Sequence, residues 1–149
     1  MLLYRIEKEK YEKQFPPIGS LHFDGRWHVA GMWVVYCSES IALAKLECLA
    51  SSTFLPDKRI LKVIELDDIS EIKEVRKDEL PANWNDVGRE RNLSFVTKEI
   101  MKEGFLGMKV PSVLSPLEYN FLLFPEHPNF KHIVRHRESF SAYFDVRLK

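Results

Sequence analysis

The amino-acid sequence predicts an α+β fold: a compact single domain over residues 1–149, with a mixed, mostly antiparallel sheet and few helices. The length is that of one domain. Segments with strand composition outnumber segments with helix composition, and the two kinds do not alternate regularly along the chain. Because a doubly wound parallel sheet requires that alternation, this order of segments favours antiparallel pairing.

The first half of the chain contains three predicted strands and one predicted helix. Short runs rich in β-branched and aromatic residues predict the strands, over residues 2–6, 33–38 and 59–67. Ser38 or Ser40 can cap a helix that runs to about Ser51. Residues 12–31 carry two prolines and three glycines, which predict an irregular segment. Irregular segments longer than about 12–15 residues are uncommon unless they are functional, so this one is a functional candidate.

The second half is predicted to contain four more strands and one more helix. The strands are predicted over residues 105–112, 119–124, 132–137 and 140–148. The helix covers residues 93–104, where Gly104 provides the terminating glycine. Residues 76–91 are polar and contain a proline and a glycine, so they are predicted to form a loop, and the Pro-rich stretch 125–130 predicts a turn.

Charge and composition exclude several classes of protein. Lys plus Arg and Asp plus Glu each number 22, so the basic excess typical of a dedicated nucleic-acid binder is missing and no direct contact with nucleic acid is expected. The chain turns charged after its first few residues and has no apolar run near the ~20 residues of a membrane span, so we expect a cytoplasmic protein with no membrane contact. Cys37 and Cys48 are expected to be free thiols. His132 and His136 lie on a predicted strand without the Glu of a zinc helix, so no metal site is expected.

Glu47 lies in the middle of the first predicted helix. Its neighbours on the helix face are small or apolar, namely Leu43, Ala44, Ala50 and Ser51. Lys45 falls on nearly the opposite side and marks the expected solvent face, so Glu47 is expected to face inward. An inward carboxylate is costly unless it is paired and hydrogen-bonded. Arg5 and Arg26 are candidate partners, and two interpretations stay open: a structural ion pair or a functional carboxylate.

Other side chains also allow two interpretations. Trp27 and Tyr36 can belong to the core or to a binding surface, and a buried Tyr36 hydroxyl needs a hydrogen-bond partner. Ser112 lacks the flanking glycines of a nucleophile elbow, so on sequence alone its role is to hydrogen-bond a strand end. The two cysteines lie in apolar segments, which favours inert thiols over nucleophiles.

An ordered set of motifs over nearly the whole chain resembles the RES domain family, which is named for its Arg, Glu and Ser. The motifs are "YRI", "GRW…G…VVYCSESIALAKLE", "MKVPSV" and "YNFLLFPEHPNF…FDVRL". Three positions depart from the family pattern: His28 stands where Asn is frequent, Asp24 where Gly is frequent, and Phe124 where Asn is frequent. These departures affect the details of how a substrate would be contacted. They leave the Arg, Glu and Ser for which the family is named in place.

The resemblance implies the residues of a site. The family's Arg, Glu and Ser fall on Arg5, Glu47 and Ser112, and its strand tyrosine falls on Tyr36, so these four are the expected catalytic residues. The expected substrate-binding residues are Arg26, Trp27 and Asn120. No cofactor or metal is implied, because NAD⁺ would be the substrate.

The resemblance also implies an activity and a partner. The fold would be similar to that of ADP-ribosyltransferase toxins. The protein would be the toxin of a bacterial toxin–antitoxin pair and would deplete NAD⁺ by cleaving the nicotinamide–ribose bond, by hydrolysis or phosphorolysis. The partner would be a helix-turn-helix, Xre-like antitoxin, and the resemblance allows a homodimer within that complex. Two alternatives remain: a protein ADP-ribosyltransferase that uses the same site, and a non-catalytic antitoxin-binding module.

Overall fold

A computed structural model describes residues 1–87 and 92–149 of the chain. The described residues form seven strands and three α-helices. The strands are β1 Leu2–Lys8, β2 Val35–Ser38, β3 Arg59–Leu66, β4 Ile72–Glu74, β5 Gly107–Pro111, β6 Tyr119–Leu123 and β7 Val134–Ala142. The helices are α1 Ile41–Ala50, α2 Ser94–Lys102 and α3 Phe130–Ile133. None of the helices in residues 1–87 and 92–149 is long and apolar enough to cross a membrane.

The strands form one mixed sheet in the order β4-β5-β6-β2-β1-β3-β7. The pairing of β4 with β5 is parallel, and the other pairings in the sheet are antiparallel. This arrangement confirms the predicted α+β fold class with a mostly antiparallel sheet.

Two stretches differ from the prediction. The C-terminal strands predicted at 132–137 and 140–148 are instead one helical turn, α3, followed by the single strand β7. β7 stays continuous across its polar middle because it pairs with β3 along nearly its whole length, with one bulge at Val63/Ile64. The short strand β4 was not predicted, and it forms by pairing with β5. Of the predicted loop 76–91, residues 88–91 lie outside the described residues.

The middle strands of the sheet are buried on both faces, because apolar residues alternate between two core clusters. In β6, Phe121 and Leu123 belong to one cluster and Leu122 belongs to the other. Helix α2 contributes Ile100 to the Leu122 cluster, and α3 contributes Phe130 to the opposite cluster. Each fully buried side chain of this kind stabilises the fold by roughly 1.5–3 kcal/mol. The two clusters therefore hold the middle strands of the sheet firmly in place.

The sheet opens between β1 and β2. β1 pairs with β3 from Leu2 to Lys8, but its register with β2 contains only the pair Tyr4 and Ser38. Beyond that pair, the backbone carbonyl of Tyr36 accepts a hydrogen bond from a side chain, Arg5 Nη1, at 3.0 Å. A side chain thus takes the place of a ladder bond, and the two strands separate.

A candidate active-site cleft between the first two strands

A cleft of about 790 Å³ lies where β1 and β2 separate. That volume is typical of sites for small molecules. Its walls come from β1, β2, helix α1, β6 and the irregular segment that was predicted as a functional candidate. The charged side chains that line it are Arg5, Glu7, Lys8, Glu47 and Arg59.

Helix α1 presents Glu47 to this cleft. The helix begins where the Ser40 hydroxyl accepts a hydrogen bond from the backbone N–H of Leu43, as one of the two predicted caps requires. Glu47 is half-buried and lines the cleft. Lys45 was expected to mark the solvent face, but this is wrong: Lys45 is half-buried with its ammonium 5.7 Å from the ring centre of Phe144. The tail after β7 covers that side of the helix.

Two neutral donors hold the Glu47 carboxylate. Ser112 Oγ donates to Glu47 Oε1 at 2.9 Å, and Asn120 Nδ2 donates to the same oxygen at 2.6 Å. Neither candidate partner, Arg5 or Arg26, pairs with Glu47, and among the described residues Glu47 forms no ion pair. No hydrogen bond to Glu47 Oε2 comes from the described part of the chain, so this oxygen is available to a ligand.

Asn120 is itself oriented by a neighbouring strand. It pairs with Ser38 in the register of β2 and β6, and Ser38 Oγ donates to Asn120 Oδ1 at 2.7 Å. Because a carboxylate can only accept, the amide nitrogen of Asn120 must face Glu47. The pair Ser38–Asn120 thus fixes the donor that holds Glu47.

Ser112 touches the cleft only through Glu47. Its side chain is buried, and its hydroxyl accepts the backbone N–H groups of Leu114 and Ser115 at 3.1 and 3.2 Å. With its proton donated to Glu47, this hydroxyl has no remaining hydrogen-bonding capacity. Ser112 is therefore placed to position the carboxylate, and the strand-end role inferred from sequence describes its other contacts.

Arg5 lies at the opening of the sheet. Its Nε donates to Glu7 Oε2 at 2.9 Å and its Nη1 donates to the carbonyl of Tyr36. The Nη2 group donates no hydrogen bond to the described residues. A guanidinium fixed by two of its nitrogens with the third free is suited to bind an oxyanion.

Tyr36 is bound to His28, the residue that departs from the family pattern. His28 Nε2 lies 2.7 Å from the carbonyl oxygen of Phe23, and His28 Nδ1 lies 2.6 Å from Tyr36 Oη. Since a carbonyl only accepts, Nε2 carries the proton, and the neutral ring then accepts the Tyr36 proton at Nδ1. Burial lowers the pKa of His28, which agrees with a neutral ring, and burial raises the pKa of Tyr36. The Tyr36 hydroxyl is thus engaged with His28, which does not itself line the cleft.

Arg26 and Trp27 do not line the cleft. Arg26 Nη1 donates to the backbone carbonyls of Trp84 and Asp86, each at 2.8 Å, and so ties two loops together. Trp27 is buried in the core and packs against Trp84 with ring centres 6.5 Å apart. The structure therefore brings together Arg5, Tyr36, Glu47 and Asn120 around one cavity, with Ser112 directly behind Glu47.

Both cysteines are free, as predicted, and both line the cleft. Burial raises the pKa of Cys37 to about 12, so its thiol is protonated at neutral pH. Since the thiolate is the nucleophilic form, Cys37 is not suited to covalent chemistry.

Sequence reasoning did not identify three polar side chains around the site. Ser38 was considered only as a helix cap, although it orients Asn120. Glu7 and Lys62 form an ion pair behind Arg5 with 2.5 Å between Glu7 Oε1 and Lys62 Nζ. The available signal was alternation in β1, which puts Glu7 on the same face as Arg5.

Comparison with known proteins agrees with this architecture. A sequence model of the RES domain matches residues 2–145. The chain is 33% identical over 154 residues to "Toxin Res" of Yersinia enterocolitica, and the alignment covers all of both proteins. It is 34% identical over 114 residues to the "Prs ADP-ribosylating toxin" of a Sphingobium strain, covering 73% of this chain and 71% of that protein.

A solved structure shares the fold. The crystal structure of the Mycobacterium tuberculosis MbcT–MbcA toxin–antitoxin complex contains a chain that superposes with a TM-score of 0.73. The superposition covers 95% of this chain and 83% of that chain, at 13% sequence identity. At that identity the likeness concerns the fold alone.

Proposed function

The chain belongs to the RES domain family, and from this premise we propose that it is the toxin of a bacterial toxin–antitoxin pair that cleaves the nicotinamide–ribose bond of NAD⁺. The observation that carries the proposal is the Glu47 carboxylate, which is held at one oxygen by Ser112 and Asn120 and leaves the other open to the cleft.

Cleavage of this bond needs a fixed negative charge. As the bond breaks, its electron pair leaves with nicotinamide and positive charge develops on the ribose. A preorganised carboxylate stabilises that charge or holds a ribose hydroxyl. Glu47 supplies the charge through Oε2, while its two neutral donors keep it in place without cancelling it.

The substrate also carries a diphosphate, which links its two nucleosides, and the cleft has the charge to bind it. Its lining carries three cationic side chains, Arg5, Lys8 and Arg59, against two anionic ones. Arg5 is the side chain best placed to act as a phosphate clamp, because its Nη2 group is free and its orientation is fixed. Tyr36 lines the cleft and would offer its aromatic ring to the substrate, for example to stack on nicotinamide.

A protein with this activity requires control in its own cell. The structural neighbour is the toxin of a solved toxin–antitoxin complex, which supports a protein partner here as well. We propose a helix-turn-helix antitoxin that covers the cleft and supplies any contact with DNA, since this chain has no net positive charge.

Transfer of ADP-ribose to a protein is the second candidate function. It is favoured by the similarity to the Prs ADP-ribosylating toxin. The same oxocarbenium-like ribose would then be captured by a protein side chain instead of water or phosphate. The cleft supports the bond-breaking step equally in both cases.

The acceptor can be identified directly. Purified protein is incubated with NAD⁺ that carries a label in its ADP-ribose part. The incubations are in buffer, in buffer with phosphate, and with a lysate of antitoxin-free cells. Nicotinamide with ADP-ribose indicates hydrolysis, a product that needs phosphate indicates phosphorolysis, and label retained on protein indicates transfer. Intact NAD⁺ under all three conditions contradicts the enzymatic proposal and favours a non-catalytic antitoxin-binding module.

A further inference from the structure

Lys62 is a charged side chain in the interior of the protein. It lies on the central part of β3, directly opposite Arg5 in the register of β1 and β3, and has no exposed surface. A buried ammonium is strongly destabilising unless charge and hydrogen bonds compensate for the lost hydration. The position therefore calls for an explanation that core packing alone does not give.

The Lys62 ammonium donates hydrogen bonds to the backbone carbonyls of Tyr11, at 2.9 Å, and Gln14. It also forms an ion pair with Glu7, whose Oε1 lies 2.5 Å from Lys62 Nζ. The second oxygen of Glu7 accepts Arg5 Nε at 2.9 Å. A continuous polar chain thus runs from Arg5 through Glu7 and Lys62 to the backbone of residues 11–14.

Both ends of this chain belong to the cleft. Arg5, Glu7, Tyr11 and Gln14 line it, whereas Lys62 lies behind them. Lys62 therefore connects the guanidinium on one side of the cleft to residues 11–14 on another side. This segment begins at the end of a 3₁₀ turn, Glu9–Tyr11, and belongs to no strand or α-helix.

We propose that Lys62 and Glu7 are positioning residues, which orient Arg5 and hold the wall at residues 11–14 for binding the diphosphate of the substrate. This inference rests on the proposed function. Glu7 fixes the direction of the guanidinium but also opposes its charge. Lys62 offsets Glu7, so the three side chains together carry one net positive charge and Arg5 keeps its attraction for an anion.

Glu7→Gln separates positioning from bulk charge. The change makes the three-residue group more positive, so charge alone predicts tighter binding of an anion. Positioning predicts weaker binding, because the amide no longer gives Arg5 a charge-assisted hydrogen bond. We expect the Kd for ADP-ribose, measured by calorimetry, to rise roughly tenfold or more in Glu7→Gln, in line with the loss of such a bond.

Lys62→Met tests the other link, since methionine is similar in size but neutral. We expect a similar rise in Kd for ADP-ribose and a raised KM for NAD⁺, with kcat within about threefold because Glu47 is untouched. Arg137→Met is the matched control: it removes the exposed ion pair of Arg137 with Glu65, 2.7 Å apart and outside the cleft. If Lys62→Met does not fold, the double variant with Glu7→Gln, which leaves no buried unpaired charge, replaces it.

Amide hydrogen exchange of the ligand-free variants gives a readout that does not depend on activity. Exchange at residues 9–15 should accelerate in Lys62→Met or the double variant and stay at the wild-type rate in Arg137→Met. Unchanged exchange there, or unchanged or tighter ADP-ribose binding in Glu7→Gln, overturns the inference. Failure of the wild type to bind ADP-ribose and consume NAD⁺ would instead contradict the proposed function, and the exchange result would still decide whether Lys62 holds the wall.

Discussion

A single methyl group at Gly25 should disrupt the contact between His28 and Tyr36. A Cβ atom at this position would lie 2.5 Å from His28 Cε1, 2.7 Å from His28 Nδ1 and 2.9 Å from Tyr36 Oη. Contacts under 3 Å cannot persist, so one of the rings must move. The His28 ring is buried and held by hydrogen bonds at both nitrogens, and it has little freedom to do so.

The cost follows from those contacts. Overpacking of this kind destabilises by about 1–3 kcal/mol. Loss of one or both imidazole hydrogen bonds adds roughly 1 kcal/mol each. We therefore expect Gly25→Ala to lower the free energy of unfolding by about 2–5 kcal/mol, which for a domain of this size lowers the Tm by on the order of 10 °C.

Gly19→Ala is the matched control, because no atom lies within 4 Å of its added methyl group. Lower entropy of the unfolded chain should leave it neutral or stabilise it by up to ~1 kcal/mol. Urea unfolding of both variants and the wild type measures the difference. Equal stability of the two variants would refute the close packing of Gly25, His28 and Tyr36.

Three further predictions concern the site. Burial lowers the pKa of His28, so below about pH 6.5 the unfolded chain takes up this proton before the folded protein does, and stability falls with falling pH. Between pH 7.5 and pH 5.5, urea unfolding should show a smaller loss of the free energy of unfolding in His28→Asn than in the wild type. An equal loss in both proteins would contradict this role of His28. Arg5→Lys should raise the KM for NAD⁺ by about tenfold, because lysine lacks the planar fork. Steady-state kinetics measure the KM, with Arg137→Lys as the control. An unchanged KM in Arg5→Lys would show that Arg5 does not clamp phosphate. Ser112→Ala should lower kcat about tenfold and destabilise by roughly 1–3 kcal/mol, since two backbone N–H groups and Glu47 lose a partner; a wild-type kcat in the folded variant would remove its positioning role.

Helix periodicity was sufficient to single out Glu47, but not to find its partners. An uncompensated carboxylate on a helix without basic neighbours indicated a special environment, and Glu47 does face a cleft. Its donors Ser112 and Asn120 are 65 and 73 residues away along the chain. Only the pairing of β6 with β2 and the approach of α1 to the end of β5 bring them together, and neither is encoded in local pattern.

The burial of Lys62 could not be predicted from the local sequence at all. A lysine in a strand is ordinarily a solvent-facing residue, and nothing in the local sequence indicates that residues 11–14 cover it. Its burial depends on the loop carbonyls and on Glu7, which belong to other parts of the chain. Arg26 and Trp27, which the resemblance implied as substrate-binding residues, lie outside the cleft, because their side chains contact Trp84 instead.

The most direct test of the central claim is nicotinamide release from NAD⁺ by Glu47→Gln. The glutamine oxygen can still accept from Ser112 and Asn120, so the fold should be retained, as circular dichroism and unfolding can verify. Glu138→Gln, an exposed change on β7, is the control. We predict that the rate falls by about 10²–10³ in Glu47→Gln and stays at the wild-type value in the control. Folded Glu47→Gln that releases nicotinamide at the wild-type rate would contradict the role assigned to Glu47 and with it the proposed chemistry of the cleft.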